Sequence, residues 1–191
     1  DQHYINLVLK GDTNAFAALV DRYKDMVYTL SLRMIRSREE AEELSQDTFI
    51  KVYRSLGKFK GESKFSTWLY KVAYNTCLDR LKKNKGNQYT VAIDEYTEEQ
   101  VAALHNAVDA IADKERKQML QDCLHLLPGE DSFLLTLYYF EEQSVKEISK
   151  ITGVTPNHVK IKLFRSRKKL VAVLKEQLEP EIITYYESER R

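Results

Sequence analysis

The sequence predicts an all-α protein in which two small helical domains are joined by a partly helical acidic linker, the second domain being a helix-turn-helix. Three observations favour helices. Six Gly and three Pro among 191 residues are too few to punctuate a many-stranded sheet. Apolar residues recur at spacings of three and four along most of the chain. Residues suited to capping a helix precede several of these periodic stretches.

Charge and periodicity divide the chain into four parts. Residues 84–115 carry 2 basic and 7 acidic side chains and lie between two mildly basic blocks. Such a composition is typical of a linker, and Thr97 with Gln100 predicts that helix resumes inside it. The extension beyond the second domain either docks or is disordered. The predicted boundaries are 1–84 for the first domain, 85–112 for the linker, 113–179 for the second domain and 180–191 for the C-terminal extension.

In the first domain, Asp12 and Thr13 can cap a long amphipathic helix. Ser37 and Glu40 have the spacing of a capping box, so a second helix is expected to begin there and to end near Gly57. The segment that follows, FKGESKF, breaks the helical period. A third helix is predicted from Ser66 or Thr67 to about Lys83.

The second domain opens with a helix that Leu127-Pro128-Gly129 stops. Three more helices are predicted over Asp131 to Glu142, Val145 to Thr152 and Pro156 to about Leu178. Gly153 falls in the tight turn between the last two, and Pro is tolerated in the first turn of a helix. A short helix, a turn containing Gly and a longer helix form the pattern of a helix-turn-helix.

Composition excludes several classes of protein. The formal net charge is +1, so overall basicity gives no argument for nucleic-acid binding. Apolar stretches such as Phe133 to Leu137 are too short to cross a membrane, and we expect a soluble, cytoplasmic protein. Cys77 and Cys123 occupy apolar helical positions and are expected to be inert core thiols. The four His are dispersed, so neither a metal site nor a cofactor is expected.

The last predicted helix is strongly cationic. Between Thr155 and Val171 it carries six Lys or Arg and no acidic residue, and like charges at helical spacing repel. An anionic partner would explain this loading, and the recognition helix of a helix-turn-helix meets DNA with its N-terminal end. A solvated basic face is the alternative. The side chains expected to point outward near the helix start are Asn157, His158, Lys160 and Ile161.

The second helix of the first domain carries an acidic stripe. Glu39, Glu43, Gln46 and Ile50 fall on one side of it, opposite the apolar positions. The helix dipole accounts for acidic residues in the first turn but not for the polar positions beyond it. The stripe is either a docking face for a helix of another protein or a plain solvated face.

Aromatic and basic residues alternate from Tyr53 to Tyr74. Aromatic rings beside cations can stack on unpaired bases and follow a single-stranded backbone. About half of these aromatics are expected in the core, Trp68 above all. The polar, Gly-containing loop FKGESKF is a candidate pocket for an extruded base.

At this point the chain resembles a bacterial extracytoplasmic-function (group 4) RNA polymerase sigma factor. The resemblance rests on EAEELSQDTF (Glu40 to Phe49), FKGESKFSTWLYKVAYNTCLDRL (Phe59 to Leu81) and the helix-turn-helix SVKEISKITGVTPNHVKIKLFRSRKKL (Ser144 to Leu170). It implies two helical domains, of which the first reads the minus-10 promoter element and the second the minus-35 element. It also implies core RNA polymerase, promoter DNA and an anti-sigma factor, possibly membrane-anchored, as partners.

The resemblance assigns roles to individual residues. It implies that the acidic stripe grips core polymerase, and that Asn75 and the loop hold a flipped minus-10 base. Asn157-His158 and Ile161 depart from the family's usual residues, so the promoter sequence cannot be copied from another member. The implied polymerase-binding residues are Glu43, Gln46 and Asp47. The implied minus-10 residues are Lys51, Phe59, Lys60, Ser63, Lys64, Lys71 and Asn75. The implied minus-35 residues are Asn157, His158, Lys160, Ile161, Lys162, Phe164, Arg165 and Lys168.

Two other functions compete with a sigma factor. An autonomous helix-turn-helix regulator would use its first domain to sense a ligand or to dimerise. A helical enzyme is less favoured, because the sequence has no phosphate-binding loop, paired catalytic carboxylates or His-centred nucleophile motif. The sequence therefore predicts a non-enzymatic protein.

Overall fold

The computed structural model describes residues 1–83 and 114–177, and within these ranges every regular element is helical. The linker helix predicted from Thr97 and the extension over 180–191 lie outside the described residues. In chain order the helices are α1 (Gln2–Leu9), α2 (Ala15–Ile35), α3 (Arg38–Ser55), a 3-10 turn (Leu56–Lys58), α4 (Phe65–Lys83), α5 (Lys114–Leu126), α6 (Gly129–Tyr139), α7 (Val145–Thr152) and α8 (Pro156–Gln177).

The N-terminal domain contains α1 to α4, and its local signals are largely as the sequence predicts. The Ser37 hydroxyl accepts a hydrogen bond from the Glu40 backbone N–H at 3.3 Å and so caps α3. The capping box is only half formed, because the Glu40 carboxylate reaches Arg80 instead, at 3.5 Å. Helix α1 was not predicted. It is anchored by the buried side chain of Ile5 and by Asp1, whose carboxylate accepts hydrogen bonds from α2.

The C-terminal domain contains α5 to α8. The Ser144 hydroxyl and the Glu147 carboxylate form a complete capping box at the start of α7. Gly153 ends this helix with a φ of +78°, a left-handed conformation that favours glycine. Helix α6 begins at Gly129, two residues before the predicted start, because Pro128 with ψ of 140° occupies the N-cap position.

The two domains pack directly against each other. Helix α4 lies against α7, and α2 lies against α6. Buried apolar side chains from both domains therefore form one contiguous core, which includes Leu30 and Leu69 from the first and Phe133 and Ile148 from the second. None of the described helices combines the length and the hydropathy needed to cross a bilayer.

Candidate protein and nucleic-acid interfaces

The acidic stripe lies on the outer face of α3. The Glu43 side chain is 60% exposed, Gln46 and Ile50 are also exposed, and Asp47 is half-buried. The opposite face of the same helix buries Ala41, Leu44, Ser45, Thr48 and Val52. Because the stripe contributes little to the helix's own packing, it is available to another molecule.

An intramolecular ion pair joins the stripe to α4. The Arg80 guanidinium lies 3.0 Å from a carboxylate oxygen of Glu43. The hydrogen bond from Arg80 lowers the pKa of the Glu43 carboxyl below its ordinary value. This pair was not predicted, because its two partners lie on different helices and are 37 residues apart in the chain.

The loop between the 3-10 turn and α4 carries four of the seven predicted minus-10 residues, Phe59, Lys60, Ser63 and Lys64. The Phe59 ring is half-buried, with its centroid 5.7 Å from that of Phe65 and 5.4 Å from that of Trp68. This aromatic cluster fixes the loop to the start of α4. Gly61 turns the loop with a φ of +73°, and its missing Cβ would meet nothing within 4 Å.

Most of the cationic and polar side chains around this loop are accessible. Lys51, Lys60, Lys71 and Asn75 are exposed and Ser63 is half-buried. The Lys51 ammonium donates a hydrogen bond to the Thr76 hydroxyl at 3.1 Å, which places Lys51 beside α4. Lys71 and Asn75 are four residues apart and share one face of that helix.

Helix α8 exposes the side chains expected at its N-terminal end. Val159, Leu163 and Leu170 are buried, as the sequence predicts. Asn157, His158 and Lys160 are exposed, and Ile161 is 49% exposed. A helix that presents polar side chains and one uncovered aliphatic side chain at its start has the chemistry that base edges in the major groove require.

The structure corrects the interpretation of the six cations on α8. Four of them have intramolecular partners, so an anionic ligand is not needed to explain the whole set. Lys160 and Arg165 are exposed and make no ion pair with any described residue. The partnered cations are Lys162 with Glu130, Arg167 with Tyr138 and Tyr139, Lys168 with the Phe164 ring and Lys169 with Asp131.

The two cysteines are buried, as predicted. Burial raises the pKa of the Cys77 thiol to about 11, so this residue is protonated and unreactive at neutral pH. In the two described ranges, no three His, Cys, Asp or Glu side chains are grouped in a way that could hold a metal ion.

Family models match both domains. Residues 19–86 match Sigma-70 region 2, and residues 117–170 match Sigma-70, region 4. The chain is 36% identical over 172 residues to the ECF RNA polymerase sigma factor SigW of Bacillus subtilis, covering 87% of this chain and 92% of the relative. It is 30% identical over 174 residues to the RNA polymerase sigma-H factor of Pseudomonas aeruginosa, covering 88% and 90%.

Solved structures share the fold at low sequence identity. One is the sigma factor RpoE from Bartonella quintana, solved in complex with the anti-sigma factor NepR. It aligns with a TM-score of 0.61 at 17% identity, and the alignment covers 85% of this chain and 98% of RpoE. CnrH in complex with the cytosolic domain of CnrY aligns with a TM-score of 0.55 at 18% identity, covering 93% and 99%.

These matches decide between the functions that the sequence left open. Neither an autonomous helix-turn-helix regulator nor a helical enzyme would be expected to match Sigma-70 region 2 and then region 4. Relatives at this level of identity extend over most of both chains, so they include both domains. The chain therefore belongs to the extracytoplasmic-function (ECF) sigma factors of RNA polymerase, which are non-enzymatic transcription initiation factors.

Proposed function

We propose that this sigma factor binds core RNA polymerase through Glu43 and Gln46 of the acidic stripe and the neighbouring Asp47. The observation that carries this proposal is the two-sidedness of α3, which buries Leu44 and Thr48 while leaving Glu43 and Gln46 in solvent. Exposed carboxylates beside an amide can accept hydrogen bonds and ion pairs from a basic helix of a partner. Ile50, exposed at the end of the stripe, adds apolar area to the same face.

The proposed minus-10 surface is the loop that begins at Phe59 together with the exposed face of α4. Lys60 and Lys71 would neutralise phosphates, and the Asn75 amide would hydrogen-bond an extruded base. Extruding a base costs a few kcal/mol of stacking and pairing, which contacts in the loop must offset. The full proposed set is Lys51, Phe59, Lys60, Ser63, Lys64, Lys71 and Asn75.

The proposed minus-35 surface is the N-terminal half of α8. Asn157 or His158 would hydrogen-bond base edges, and the exposed Ile161 side chain suits contact with a thymine methyl group. Lys160 and Arg165, which are exposed and contact no partner side chain among the described residues, would hold phosphates. The full proposed set is Asn157, His158, Lys160, Ile161, Lys162, Phe164, Arg165 and Lys168.

The domain boundaries and the partners complete the proposal. We assign residues 1–84 to polymerase binding and minus-10 recognition, 85–112 to the linker, 113–179 to minus-35 recognition and 180–191 to an extension. A sigma factor with this fold, RpoE, was solved in complex with the anti-sigma factor NepR, which supports a similar inhibitor for this chain. Since its target is RNA polymerase, the chain would act in the cytoplasm.

Reconstitution with sigma-free core polymerase and a promoter library tests these assignments. Mapped transcript starts should cluster downstream of two shared sequence elements, and the Asn157→Ala variant should relax the base preference in the upstream element only. Starts indistinguishable from those of core enzyme alone would contradict the proposal. A relaxed downstream element in the same variant would contradict the assignment of α8.

A further inference from the structure

Helix α8 is held against α6 by two carboxylates in the first turn of α6. One carboxylate oxygen of Asp131 accepts a hydrogen bond from the Ser166 hydroxyl at 2.6 Å, and the other lies 2.6 Å from the Lys169 ammonium. The neighbouring carboxylate of Glu130 pairs with Lys162. Two of the six cations on α8 therefore have their charge neutralised by acidic side chains of the same chain.

The pair between Asp131 and Lys169 is the better shielded of the two. Its side chains are 15% and 19% exposed, and Ser166 beside them is fully buried. The side chains of Glu130 and Lys162 are 44% and 29% exposed. Because salt and water screen a partly buried pair less than an exposed one, Lys169 is the cation that the chain neutralises most completely.

The other four cations of α8 keep their charge. Arg167 and Lys168 lie over aromatic rings, which attract a cation without cancelling its charge. Lys160 and Arg165 are exposed. Contacts within the described ranges thus reduce the charge that α8 presents from six cations to four.

The two neutralised lysines are neighbours of an exposed arginine. Lys162 lies three residues before Arg165 and Lys169 lies four residues after it, so all three side chains share one side of the helix. Arg165 belongs to the proposed minus-35 surface. A lysine released from its carboxylate would therefore lie beside this surface, with a flexible four-carbon stem that can turn towards the same phosphates.

The spacing of these groups has a consequence for binding to DNA of any sequence. Phosphate contacts carry no sequence information, and each additional contact strengthens binding to all DNA. We propose that Glu130 and Asp131 limit the binding of α8 to non-specific DNA by holding Lys162 and Lys169 in place of phosphates. This inference rests on the proposed assignment of α8 to DNA binding. The two acidic residues are positioning residues, because they act through the lysines and do not themselves contact DNA.

Packing of α8 alone does not account for a carboxylate at position 131. The Ser166 hydroxyl also donates to the backbone carbonyl of Lys162 at 2.9 Å, so it has an acceptor within its own helix. A neutral acceptor such as an amide could provide the second hydrogen bond to Ser166. What a neutral side chain could not provide is the negative charge that neutralises Lys169.

Salt titrations of the full-length chain on a fluorescein-labelled, random-sequence duplex test the proposal. Asp131→Asn keeps an oxygen that can accept a hydrogen bond from Ser166 and removes the charge that holds Lys169. This variant should bind the duplex about fivefold more tightly at about 0.1 M salt and steepen the log–log salt slope by about 0.9, the value for one additional phosphate contact. Fluorescence anisotropy measures both quantities.

Two matched variants separate neutralisation from a structural role. Combining Asp131→Asn with Lys169→Met should abolish the gain, because methionine keeps the apolar stem of lysine without its charge. Glu142→Gln removes one negative charge from an exposed residue of the same domain and should leave the slope unchanged. A gain of equal size in Glu142→Gln, or a gain that persists without Lys169, would overturn the proposal.

Circular dichroism identifies a variant that fails to fold. If Asp131→Asn loses helicity, Glu130→Gln replaces it, since Glu130 is the more exposed of the two carboxylates. Its tighter binding should disappear when Lys162→Met is added. Folded variants that bind the duplex with the slope of the unmodified chain would show that the two carboxylates have a structural role only.

The polymerase complex separates failure of this proposal from failure of the proposed function. If the complex prefers its own minus-35 duplex to a scrambled one, while folded Asp131→Asn leaves the slope on random DNA unchanged, the proposal is overturned and the assignment of α8 stands. If the complex shows no preference between the two duplexes, the assignment of α8 is contradicted, and the proposal falls with it.

Discussion

The acidic stripe on α3 and the two proposed DNA-binding surfaces differ in their contacts with the rest of the free chain. Helix α3 packs on α2 and α4 of its own domain, and Glu43 and Gln46 are exposed and away from the contact between the two domains. In contrast, Lys64 lies 3.8 Å from Glu147 of the C-terminal domain, and Lys162 pairs with Glu130. The proposed polymerase-binding surface is thus accessible in the free chain, whereas parts of the proposed DNA-binding surfaces already contact acidic side chains.

Charge reversal of the stripe should give the largest effect. The double variant Glu43→Lys with Asp47→Lys should reduce affinity for core polymerase by about a hundredfold or more, because close interfacial charge pairs are worth a few kcal/mol. Fluorescence anisotropy with labelled protein measures the affinity. The matched control is Asp21→Lys with Asp25→Lys, the same charge change at the same spacing on an exposed part of α2. Equal losses in both variants would mean that net charge, not this face, determines binding.

Removal of the Asn75 amide should give the next largest effect, confined to DNA opening. Asn75→Ala should reduce formation of the open complex by about tenfold, the value of one hydrogen bond to an extruded base. A fluorescent base analogue in the minus-10 element reports the opening. Asp79→Ala, one turn further along the same exposed side of α4, should leave it unchanged. A defect of equal size in the control would remove the special role of Asn75.

Arg165 and Lys162 of α8 should contribute differently to DNA binding, because only Lys162 pairs with an acidic side chain of the chain itself. Arg165→Ala should weaken binding of the polymerase complex to a minus-35 duplex by about fivefold and flatten the log–log salt slope by about 0.9. Lys162→Ala should change the slope less, since Lys162 already pairs with Glu130. Titrations at several salt concentrations measure both. An unchanged slope in Arg165→Ala would show that Arg165 does not neutralise a phosphate.

The smallest effect concerns the ion pair within the N-terminal domain. Arg80→Gln should return the pKa of Glu43 towards its ordinary value, because the guanidinium holds it low. Since the folded-state pKa is lowered, the pair stabilises the fold above the ordinary pKa of Glu and ceases to do so as pH falls through the lowered value. Carboxyl-carbon NMR shifts across an acid titration measure this change. A Glu43 midpoint that is unmoved by Arg80→Gln would rule out the pair in solution.

Local signals allowed most helices to be predicted from the sequence. The start of α7 is set by Ser144 with Glu147, its end by Gly153, and the start of α8 by Pro156, all within a few residues of the helix they delimit. Helix α1 escaped prediction, because its eight residues hold one buried side chain and no side-chain cap. The exposure of the stripe and of the start of α8 also followed from helical periodicity.

The packing of the two domains against each other was not predictable in the same way. Tyr70 meets Glu141 and Arg33 meets Gln121 across 71 and 88 residues of chain. Periodicity identifies a buried face but not the element that covers it. The partnering of Lys162 and Lys169 was missed for the same reason, since the acidic residues that neutralise them lie on another helix.

Gly129 of α6 lies so close to α2 that a Cβ built on it would be 2.2 Å from the backbone oxygen of Met34, which matters for comparing members of this family. A homologue with alanine or any larger residue at the equivalent position could not adopt this docking without a shift of its main chain. The residue at this position can therefore distinguish family members whose two domains can pack in this way from members whose domains must adopt a different arrangement.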